Sequence, residues 1–542
     1  MARTKVIRLC LSLAAIPALF ALCALTIPKA AADVPAAPAR PRAVADSVLT
    51  STNPISVSAV PISPGSSPGE PVRNPSLAVG PDGTVHFAWW TEIDGSGGPC
   101  SDYVQAESFY AFIAPGTTHP QVKDAGLDSM SPRLSVGRDN TLFVAWLKCS
   151  GDTRQYHPAF DWAPSKSWLT GTTTFSAPFT YTVGRASPFD TADYVDEAPT
   201  QFIAQEHGQS RPHLAWERYD PAQGDAAHLL YYSRPVTDTL PITATRTPDP
   251  RLQTTTIPIA DYTGLHPSLA VFERQGNTEA HVVWDAEITS GCSLREIAWS
   301  YADALPPTLT TAQPGGGSLW QPRRAISTNG DAQRKSKAPV SCDTFTRNAQ
   351  FPVIATTPSD ANPPDGLYVI WNEWTSGSQE YQIMSSRLDR TPAQGPSWTT
   401  PTAVVTATRT SVLPPALAVD KRGRQYVLWN DGFDKILLQA SAPDGTWQAT
   451  SPLQLNRGPS CAGSTIGSTL RVGDVGLAYD SAHEKLHAIW LARTATASLP
   501  NRLCYASVDL MPHKTFLPYI GEATTTRLGA PQVSGIKPLA RP

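Results

Sequence analysis

Polar and aromatic side chains recur after tryptophan residues in this chain, and their types could bind or transform a polar molecule. Carboxylates accept hydrogen bonds and transfer protons, arginine pairs with carboxylates in a planar fork, and aromatic rings offer flat apolar faces. Aspartate and asparagine after a strand also stabilise turns, so the set as a whole is better supported than any member. The candidate ligand-binding residues are Arg73, Glu92, Glu217, Arg218, Tyr219, His266, Asp285, Glu373, Trp374, Asp431 and Asp474.

The tryptophans that precede these clusters belong to a sequence repeat, or repeated phrase, that occurs seven times. It consists of a proline, a short apolar run, a turn, and a second apolar run that ends in tryptophan. In the first copy the turn is Pro81-Asp82-Gly83, and the alternation on both sides of it predicts a β-hairpin. The copies run from Pro75 to Trp89, Pro132 to Trp146, Pro199 to Trp216, Pro267 to Trp284, Pro352 to Trp371, Pro415 to Trp429 and, more loosely, Val475 to Trp490.

The rest of each unit contains further strand-like runs, such as residues 228–233, 295–300, 381–386, 435–441 and 502–507. Four strands per unit, arranged radially, predict an all-β fold, a seven-bladed β-propeller of four-stranded antiparallel blades over residues 53–515. A six-bladed ring is the alternative. The last unit lacks a fourth strand, and we expect residues 54–63 to pair into the last blade and close the ring. Residues 513–520 are the competing choice for that strand.

The N-terminus has the organisation of a secretory signal peptide over residues 1–32. Arg3, Lys5 and Arg8 precede an apolar run over residues 11–27, and a small-residue cleavage site lies before Asp33. A single membrane anchor is the alternative, which Pro17, the short apolar run and the cleavage signal disfavour. No other run approaches spanning length. Residues 33–52 are predicted to be an Ala/Pro-rich linker, and residues 516–542 a disordered C-terminal tail. The pattern predicts a secreted, extracellular protein, with bacterial export favoured.

Cysteine usage agrees with export, because two of the eight cysteines fall in the signal peptide and an even number remains. The propeller arrangement brings loops of neighbouring blades together and predicts crosslinks between them. No Cys-x-x-Cys spacing occurs, so we expect no metal at these thiols. The predicted disulfides are Cys100–Cys149, Cys292–Cys342 and Cys461–Cys504.

Charge and motifs exclude several other classes. The net charge is −3 with interspersed signs, which argues against nucleic acid as a partner. There is no Gly-x-Ser-x-Gly elbow, zinc-protease motif or phosphate-binding loop, and no cofactor is expected. Asp360, Asn362 and Asp365 have calcium-binding residue types, but their spacing favours a polar turn. We expect a monomer.

Three segments resemble the Asp-box of the sialidase (neuraminidase repeat) propeller superfamily. They are Ser441 to Trp447, Ser386 to Asp389 with a later Trp398, and Ser507-Val-Asp509. The resemblance implies a propeller in which the box is a fold element. Arg73-Asn74-Pro75 stands where the family has Arg-Ile-Pro, which makes Arg73 a candidate for its carboxylate-binding arginine. The family also uses two further arginines, a Tyr–Glu nucleophile pair and an acid/base aspartate. Arg218, Arg295 and Arg387 are available in this chain, but no pattern assigns them to the arginine roles, and none locates the pair or the aspartate.

These observations predict an exported, non-catalytic propeller that binds an extracellular glycan or protein ligand on the loop face around the central channel. Aromatic residues beside polar ones suit sugar stacking, as at Trp90, Tyr219, Trp374 and Phe433. The alternative is a sialidase-like glycoside hydrolase, or less favourably a polysaccharide lyase. Three arginines close to a Tyr–Glu pair would favour the hydrolase.

Overall fold

β-strands make up the regular structure of the part of the chain described by the computed structural model, and no helix occurs there. All of these strands lie within residues 49–542, one of the two units into which the chain divides. The described residues are 55–60, 72–93, 105–117, 121–150, 155–163, 179–180, 195–206, 209–219, 228–235, 252–256, 264–274, 276–288, 294–303, 305, 319–327, 347–358, 361, 366–375, 381–391, 395–409, 413–431, 435–447, 452–456, 475–492 and 502–510.

Antiparallel strands form consecutive groups that follow the sequence repeat, here called units 1 to 7. Unit 1 contains β2 (Val72–Val79), β3 (Val85–Ile93), β4 (Gln105–Ile113) and the first half of β5 (Gln121–Val136). Unit 2 contains the second half of β5, β6 (Leu142–Ser150), β7 (Gln155–Ala163) and β8 (Phe179–Thr180). Unit 3 contains β9 (Val195–Glu206), β10 (Gln209–Tyr219), β11 (His228–Pro235) and β12 (Leu252–Thr256).

The remaining units repeat this order. Unit 4 contains β13 (Gly264–Arg274), β14 (Asn277–Glu287), β15 (Arg295–Ala302) and β16 (Arg324–Ala325). Unit 5 contains β17 (Arg347–Thr356), β18 (Leu367–Thr375), β19 (Tyr381–Asp389), β20 (Ser397–Trp398) and β21 (Thr402–Arg409). Unit 6 contains β22 (Ala416–Val419), β23 (Gln425–Asn430), β24 (Ile436–Ala440) and β25 (Leu453–Gln454). Unit 7 contains β26 (Val475–Asp480), β27 (Lys485–Ala492), β28 (Arg502–Asp509) and β1 (Ile55–Val60).

The first strands of the units contact one another in succession. β2 contacts β5, and the contacts continue through β9, β13, β17, β22 and β26, which in turn contacts β2. Strand β5 shows how the chain steps between units, because residues 121–128 pair with β4 and residues 129–136 pair with β6. Radially ordered antiparallel sheets with adjacent first strands are the architecture of a β-propeller.

The repeated tryptophans explain why the units pack together. Each lies on the second strand of its unit and is at most 1% exposed, and all of them except Trp216 join an apolar cluster shared with a neighbouring unit. In one such cluster Trp89 and Phe87 of unit 1 pack with Ile489 and Tyr505 of unit 7. A large side chain between two sheets removes apolar area from water that a single hairpin would leave exposed. The seven buried tryptophans of the repeat are Trp89, Trp146, Trp216, Trp284, Trp371, Trp429 and Trp490.

Turns between the first and second strands meet at one end of the units, here called the turn face. The side chain of Asn140 accepts a hydrogen bond from the backbone of Asp82 at 3.3 Å, which links units 1 and 2. Gly83, at a φ of 80°, lies so close to His483 of unit 7 that a Cβ atom there would come within 2.5 Å of the imidazole. Neighbouring turns are therefore in contact, including those of the first and last units.

The segment that resembles an Asp-box forms a tight turn after β24. Ser441 and Trp447 form a β-bridge across it, and Gly445 adopts a φ of 86°. The Asp444 carboxylate accepts hydrogen bonds from the amide and hydroxyl of Thr446 at 2.9 and 2.6 Å. These contacts hold the turn.

The predicted hairpins and additional strands are confirmed at the positions given by the sequence pattern. β1 lies within the predicted N-terminal segment and pairs antiparallel with β28, with Val57 opposite Tyr505. The competing segment, residues 513–520, lies outside the described residues. Within the described ranges, no helix has the length and apolar character needed to cross a membrane.

Candidate functional site

Most of the sequence-predicted candidates lie at the end of the units opposite the turn face, here called the site face. First strands begin and second strands end at this end, as shown by the pairing of Arg73 with Trp90 and of Leu265 with Asp285. Third strands also begin here, which brings Arg295 opposite Glu287. The antiparallel register therefore collects the residues that follow the tryptophans beside those that precede the prolines.

A bulge interrupts the first strand at equivalent positions of four units. The residue before the proline of the repeat is left-handed in each, and the pairing register shifts there. A left-handed backbone costs a non-glycine residue about 1–2 kcal/mol, and bulges redirect side chains. Strained backbone at equivalent positions motivates the hypothesis that this end of the units carries a functional site. The four residues are Asn74, Ser131, His266 and Phe351, with φ of 46°, 55°, 50° and 55°.

Side chains around these bulges tie neighbouring first strands together. Asn74 Nδ2 donates to Ser131 Oγ at 2.9 Å, which joins the bulges of units 1 and 2. Ser76 Oγ accepts a hydrogen bond from the Leu134 amide at 2.9 Å, and Ser268 Oγ accepts one from the Ile354 amide at 3.1 Å. The serine that follows the proline thus bonds the next first strand, so the bulges are held at fixed positions.

A cavity of about 270 Å³ lies where the first strands converge, here called the central cavity. Its wall is built from first-strand segments of units 1, 2, 4, 5, 6 and 7, and prolines and aliphatic side chains form much of it. Three side chains with distinct chemistry also line it, namely Arg133, His266 and Phe351. A concave, mainly apolar space with few polar groups is the usual form of a small-molecule site.

His266 contacts two other predicted candidates, Asp285 and Glu217, at the rim of this cavity. Its Nδ1 lies 3.0 Å from Asp285 Oδ1 and 3.2 Å from Oδ2, and its backbone amide donates to Glu217 Oε2 at 3.2 Å. Arg295 Nη1 donates to Asp285 Oδ2 at 3.3 Å. Phe351 lies beside the imidazole, with ring centroids 4.4 Å apart. The structure therefore brings Glu217, His266 and Asp285 together, as a cluster drawn from units 3 and 4.

The carboxylates around His266 control its charge. Burial by itself would lower the pKa of the imidazole, but the Asp285 carboxylate, through its charge and hydrogen bond, and Glu217 outweigh that effect. The pKa of His266 is therefore raised, even though Arg295 acts in the opposite direction. Asp285 is 1% exposed while the His266 side chain is 33% exposed, so the carboxylate is internal and the imidazole faces the opening.

Arg133 enters the central cavity from unit 2. It follows Pro132 at the bulge of β5, and its Nη1 lies 3.5 Å from the carbonyl oxygen of Pro132. Burial lowers the pKa of this guanidinium to about 10, so it stays charged at neutral pH.

One further candidate, Glu373, forms a second cluster in unit 5. Arg347 Nη1 donates to Glu373 Oε1 at 2.6 Å, and the Trp371 indole donates to Glu373 Oε2 at 3.1 Å. Trp374 is partly exposed on the same strand and pairs with Asn348. In unit 1, the Arg73 guanidinium lies over the Trp90 ring, 5.5 Å from its centroid.

The remaining predicted residues are not brought into these clusters by described contacts. Glu92 is on β3, and Arg218 and Tyr219 are on β10, but only their backbones are described. Asp431 accepts a hydrogen bond from the Lys435 amide at 3.0 Å and stabilises its own loop. Asp474 and the proposed calcium residues lie outside the described residues. In the described part of the chain, no group of three or more His, Cys, Asp or Glu side chains could hold a metal ion.

The cysteine predictions fall mostly outside the described residues as well. Cys504 is on β28, is fully buried and is disulfide-bonded. Its predicted partner, Cys461, is not among the described residues, so the pairing stays a prediction. Cys149 is on β6, where its backbone alone is described, and Cys100, Cys292 and Cys342 lie outside.

The sequence pattern placed Arg133 beside a first strand without including it in the candidate set, and it did not select Phe351, Asn74 and Ser131. The signal that could have found the last three is their shared position directly before a proline at the start of a first strand. Arg133 directly follows such a proline. The polar residues that follow the tryptophans lie at the same end of the sheets as the central cavity, and residues at the bulges line the cavity itself.

Comparisons with known proteins give structural likenesses only. No family model matches the sequence, and no curated protein matches it. Polysaccharide lyase Uly1 is similar at 9% identity over 81% of this chain and 90% of that chain, with a TM-score of 0.39. The intramolecular trans-sialidase from Ruminococcus gnavus is similar at 10% identity over 83% and 97%, with a TM-score of 0.34.

A fucose-specific lectin from Aleuria aurantia is similar at 8% identity over 71% of this chain and 96% of that chain, with a TM-score of 0.33. The three descriptions name carbohydrate-active or carbohydrate-binding proteins. At these identities and TM-scores the likenesses do not define the activity of this chain. The class of the protein, an all-β propeller, rests on its own strand order.

Proposed function

We propose that this protein is an exported, non-catalytic β-propeller of seven blades that binds an extracellular glycan in the central cavity on its site face. The observation that carries the proposal is the cavity itself, formed by first strands of six units and lined by Phe351, His266 and Arg133. Export is supported by the N-terminal segment over residues 1–32 and by the disulfide at Cys504.

A saccharide suits this cavity because a sugar ring combines apolar C–H faces with a rim of hydroxyl groups. Phe351 and the prolines supply apolar surface, while His266 and Arg133 supply polar partners. The left-handed backbone at Phe351 and His266 holds both side chains at the opening. A preformed wall of this kind lowers the ordering cost of binding.

The alternative, a sialidase-like glycoside hydrolase, has less support from the described contacts. Two arginines at the site face are held by carboxylates, since Arg295 contacts Asp285 and Arg347 contacts Glu373. Asp285 is 1% exposed, and its oxygens contact His266 and Arg295. A glycosidase needs a carboxyl group within reach of the glycosidic oxygen, and this one is internal. Among the residues that the structure describes at this face, the His266–Asp285 pair favours proton transfer.

A glycan array with the purified mature protein tests the binding function. Wild-type protein is expected to retain a set of glycans, and Phe351→Leu, which keeps apolar bulk but removes the aromatic ring, is expected to weaken binding by about tenfold. The matched control is Phe272→Leu, because Phe272 lies on β13 near the turn face. Turnover of a fluorogenic sialoside that is lost in Arg73→Ala would decide for the hydrolase. Absence of binding to any glycan would contradict the proposal.

The seven-bladed closed ring is part of the same proposal. It is supported by the seven units, the contact between β2 and β26, and the pairing of β1 with β28. A chain that begins at residue 61 should unfold at a temperature several degrees lower than one that begins at residue 53, because it lacks the outer strand of unit 7. Equal thermal unfolding midpoints for the two chains would argue against closure by β1.

A further inference from the structure

A buried histidine lies three residues before the repeated tryptophan in four of the seven units. The four are His86, His213, His281 and His487, each at most 5% exposed. In units 1, 3 and 7, the imidazole Nδ1 lies 2.7, 2.6 and 2.6 Å from the hydroxyl of a tyrosine on the third strand. A hydroxyl can donate or accept a hydrogen bond, so these contacts can persist when the imidazole becomes charged.

His281 of unit 4 contacts a tryptophan instead. Trp299 and the tyrosines occupy equivalent positions, opposite the residue that precedes the repeated tryptophan. The Trp299 indole donates to His281 Nδ1 at 3.2 Å, and an indole N–H cannot accept. His281 Nδ1 therefore carries a lone pair, and the proton of the neutral ring is on Nε2, which donates to Glu279 Oε2 at 3.4 Å. These two contacts fix one neutral tautomer of a fully buried ring.

The carboxylate beside His281 already has two cationic partners. Glu279 accepts Arg390 Nη1 at 2.7 Å and Arg274 Nη1 at 3.4 Å. A charged His281 would be a third cation on that one carboxylate. Burial lowers the pKa of His281, and Arg390 acts in the same direction, although Glu279 opposes them. Further ionisable groups beside this cluster are Tyr301, Asp303 and Arg324.

This cluster lies in the contact surface between units 4 and 5, here called the unit 4–5 joint. Trp299 packs in one apolar cluster with Trp371 of unit 5 and meets Trp398 of that unit edge-on, with ring centroids 5.7 Å apart. Arg390 of unit 5 crosses to Glu279 of unit 4. A change in the Trp299 contact therefore acts on the surface that holds the two units together.

We propose that the unit 4–5 joint opens in mild acid, because a proton on His281 Nδ1 cannot coexist with the Trp299 contact. Since the pKa of His281 is lower in the folded protein than in an exposed imidazole, closure is favoured above pH ~6.5 and weakens as the pH falls. Opening would separate strands β13 and β17, which place His266 and Phe351 at the central cavity. The inference concerns the scaffold, so it stands independently of the proposed glycan function.

Hydrogen exchange of the full mature protein, measured by mass spectrometry at pH 7 and pH 5, tests the proposal. After correction for intrinsic exchange rates, the protection of β14, β15 and β18 should fall at least about tenfold at pH 5, because one proton taken up on opening changes the equilibrium about tenfold per pH unit. Carboxyl groups titrate mainly below pH ~5, so they contribute little in this window. Strands β22 to β24 of unit 6 contain no histidine and should keep their protection.

His281→Gln keeps a donor for Glu279 but cannot become charged, so it should abolish the loss of protection. The matched control is His213→Gln, whose partner Tyr232 packs against unit 4, and it should leave the loss intact. A loss that persists in His281→Gln, or equal protection of the wild type at both pH values, would overturn the proposal. If His281→Gln does not fold, His281→Phe serves instead, because unit 2 carries Phe143 at the equivalent position.

The tautomer of His281 provides a second readout. In NMR spectra of labelled histidine side chains at pH 7, the signal that disappears in His281→Gln should carry its proton on Nε2. A proton on Nδ1 would contradict the Trp299 contact and overturn the proposal.

Discussion

His266 and Asp285 face each other across the first two strands of unit 4, with Nδ1 3.0 Å from Oδ1. The register places Asp285 opposite Leu265, and the bulge that follows brings the next residue, His266, beside the same carboxylate. This contact links the rim of the central cavity to a fully internal charge. Its effect on the imidazole can be measured directly.

Asp285→Asn should lower the pKa of His266 from its raised value. The substitution removes a charge and weakens a hydrogen bond that together outweigh burial, so burial and Arg295 would then dominate. The measurement is a pH titration of selectively labelled histidine side chains by NMR. Glu279→Gln is the control, because Glu279 contacts His281 and Arg390 near the turn face and should leave the His266 titration unchanged. An unchanged His266 pKa in Asp285→Asn would contradict the geometry.

Acid should destabilise the fold through His86. This imidazole is fully buried, its Nδ1 lies 2.7 Å from the Tyr110 hydroxyl, and burial, opposed by Asp82, lowers its pKa to about 3. Because the folded pKa lies below the unfolded value, stability is present above pH ~6.5 and falls as the pH decreases towards ~3, by roughly 1.4 kcal/mol per pH unit. Urea unfolding between pH 7 and pH 4 measures it.

The matched comparison for His86 is the double variant His86→Phe with Tyr110→Phe, which removes both polar partners together. Unit 2 already carries Phe143 at the equivalent position, three residues before its tryptophan. The other titrating groups are shared with the wild type, so the difference between the two pH profiles isolates His86. Parallel profiles would show that this imidazole is not buried in its neutral form.

Gly83→Ala should destabilise the protein more than Gly276→Ala. Both glycines have a φ of 80°, so both substitutions place alanine in a left-handed backbone and cost about 1 kcal/mol. A Cβ atom at Gly83 would also lie 2.5 Å from His483 Cε1, whereas nothing lies within 4 Å at Gly276. Thermal unfolding should show an excess loss for Gly83→Ala that His483→Ala removes. An equal loss for both glycines would mean that the first and last units do not meet there.

Asp444→Ala should affect the fold slightly and ligand binding not at all. The substitution removes two hydrogen bonds to Thr446 in an exposed turn, so the loss in free energy of unfolding should stay below about 1 kcal/mol. Differential scanning calorimetry measures the first quantity, and the glycan array measures the second. Loss of glycan binding with an intact fold would assign this segment to the site rather than to the scaffold.

The strands and their order could be predicted because they depend on local patterns. Alternating apolar residues, turn residues and a terminal tryptophan gave hairpins that the structure confirms, from β2 and β3 in unit 1 to β26 and β27 in unit 7. The site was predicted only in part. Glu217, His266 and Asp285 were selected because they follow or precede the repeated phrase, yet nothing in their spacing showed that they contact one another.

By itself, the sequence determined that this protein is built from repeated β-hairpins with tryptophans that must be buried, since period-two alternation and turn chemistry act over a few residues. Tertiary structure alone decided which side chains share the central cavity. Asn74 meets Ser131 from 57 positions away, and Glu217 meets His266 from 49. Tertiary structure also decided that Arg133 lines that cavity, because the surroundings of Arg133 depend on strands contributed by several units.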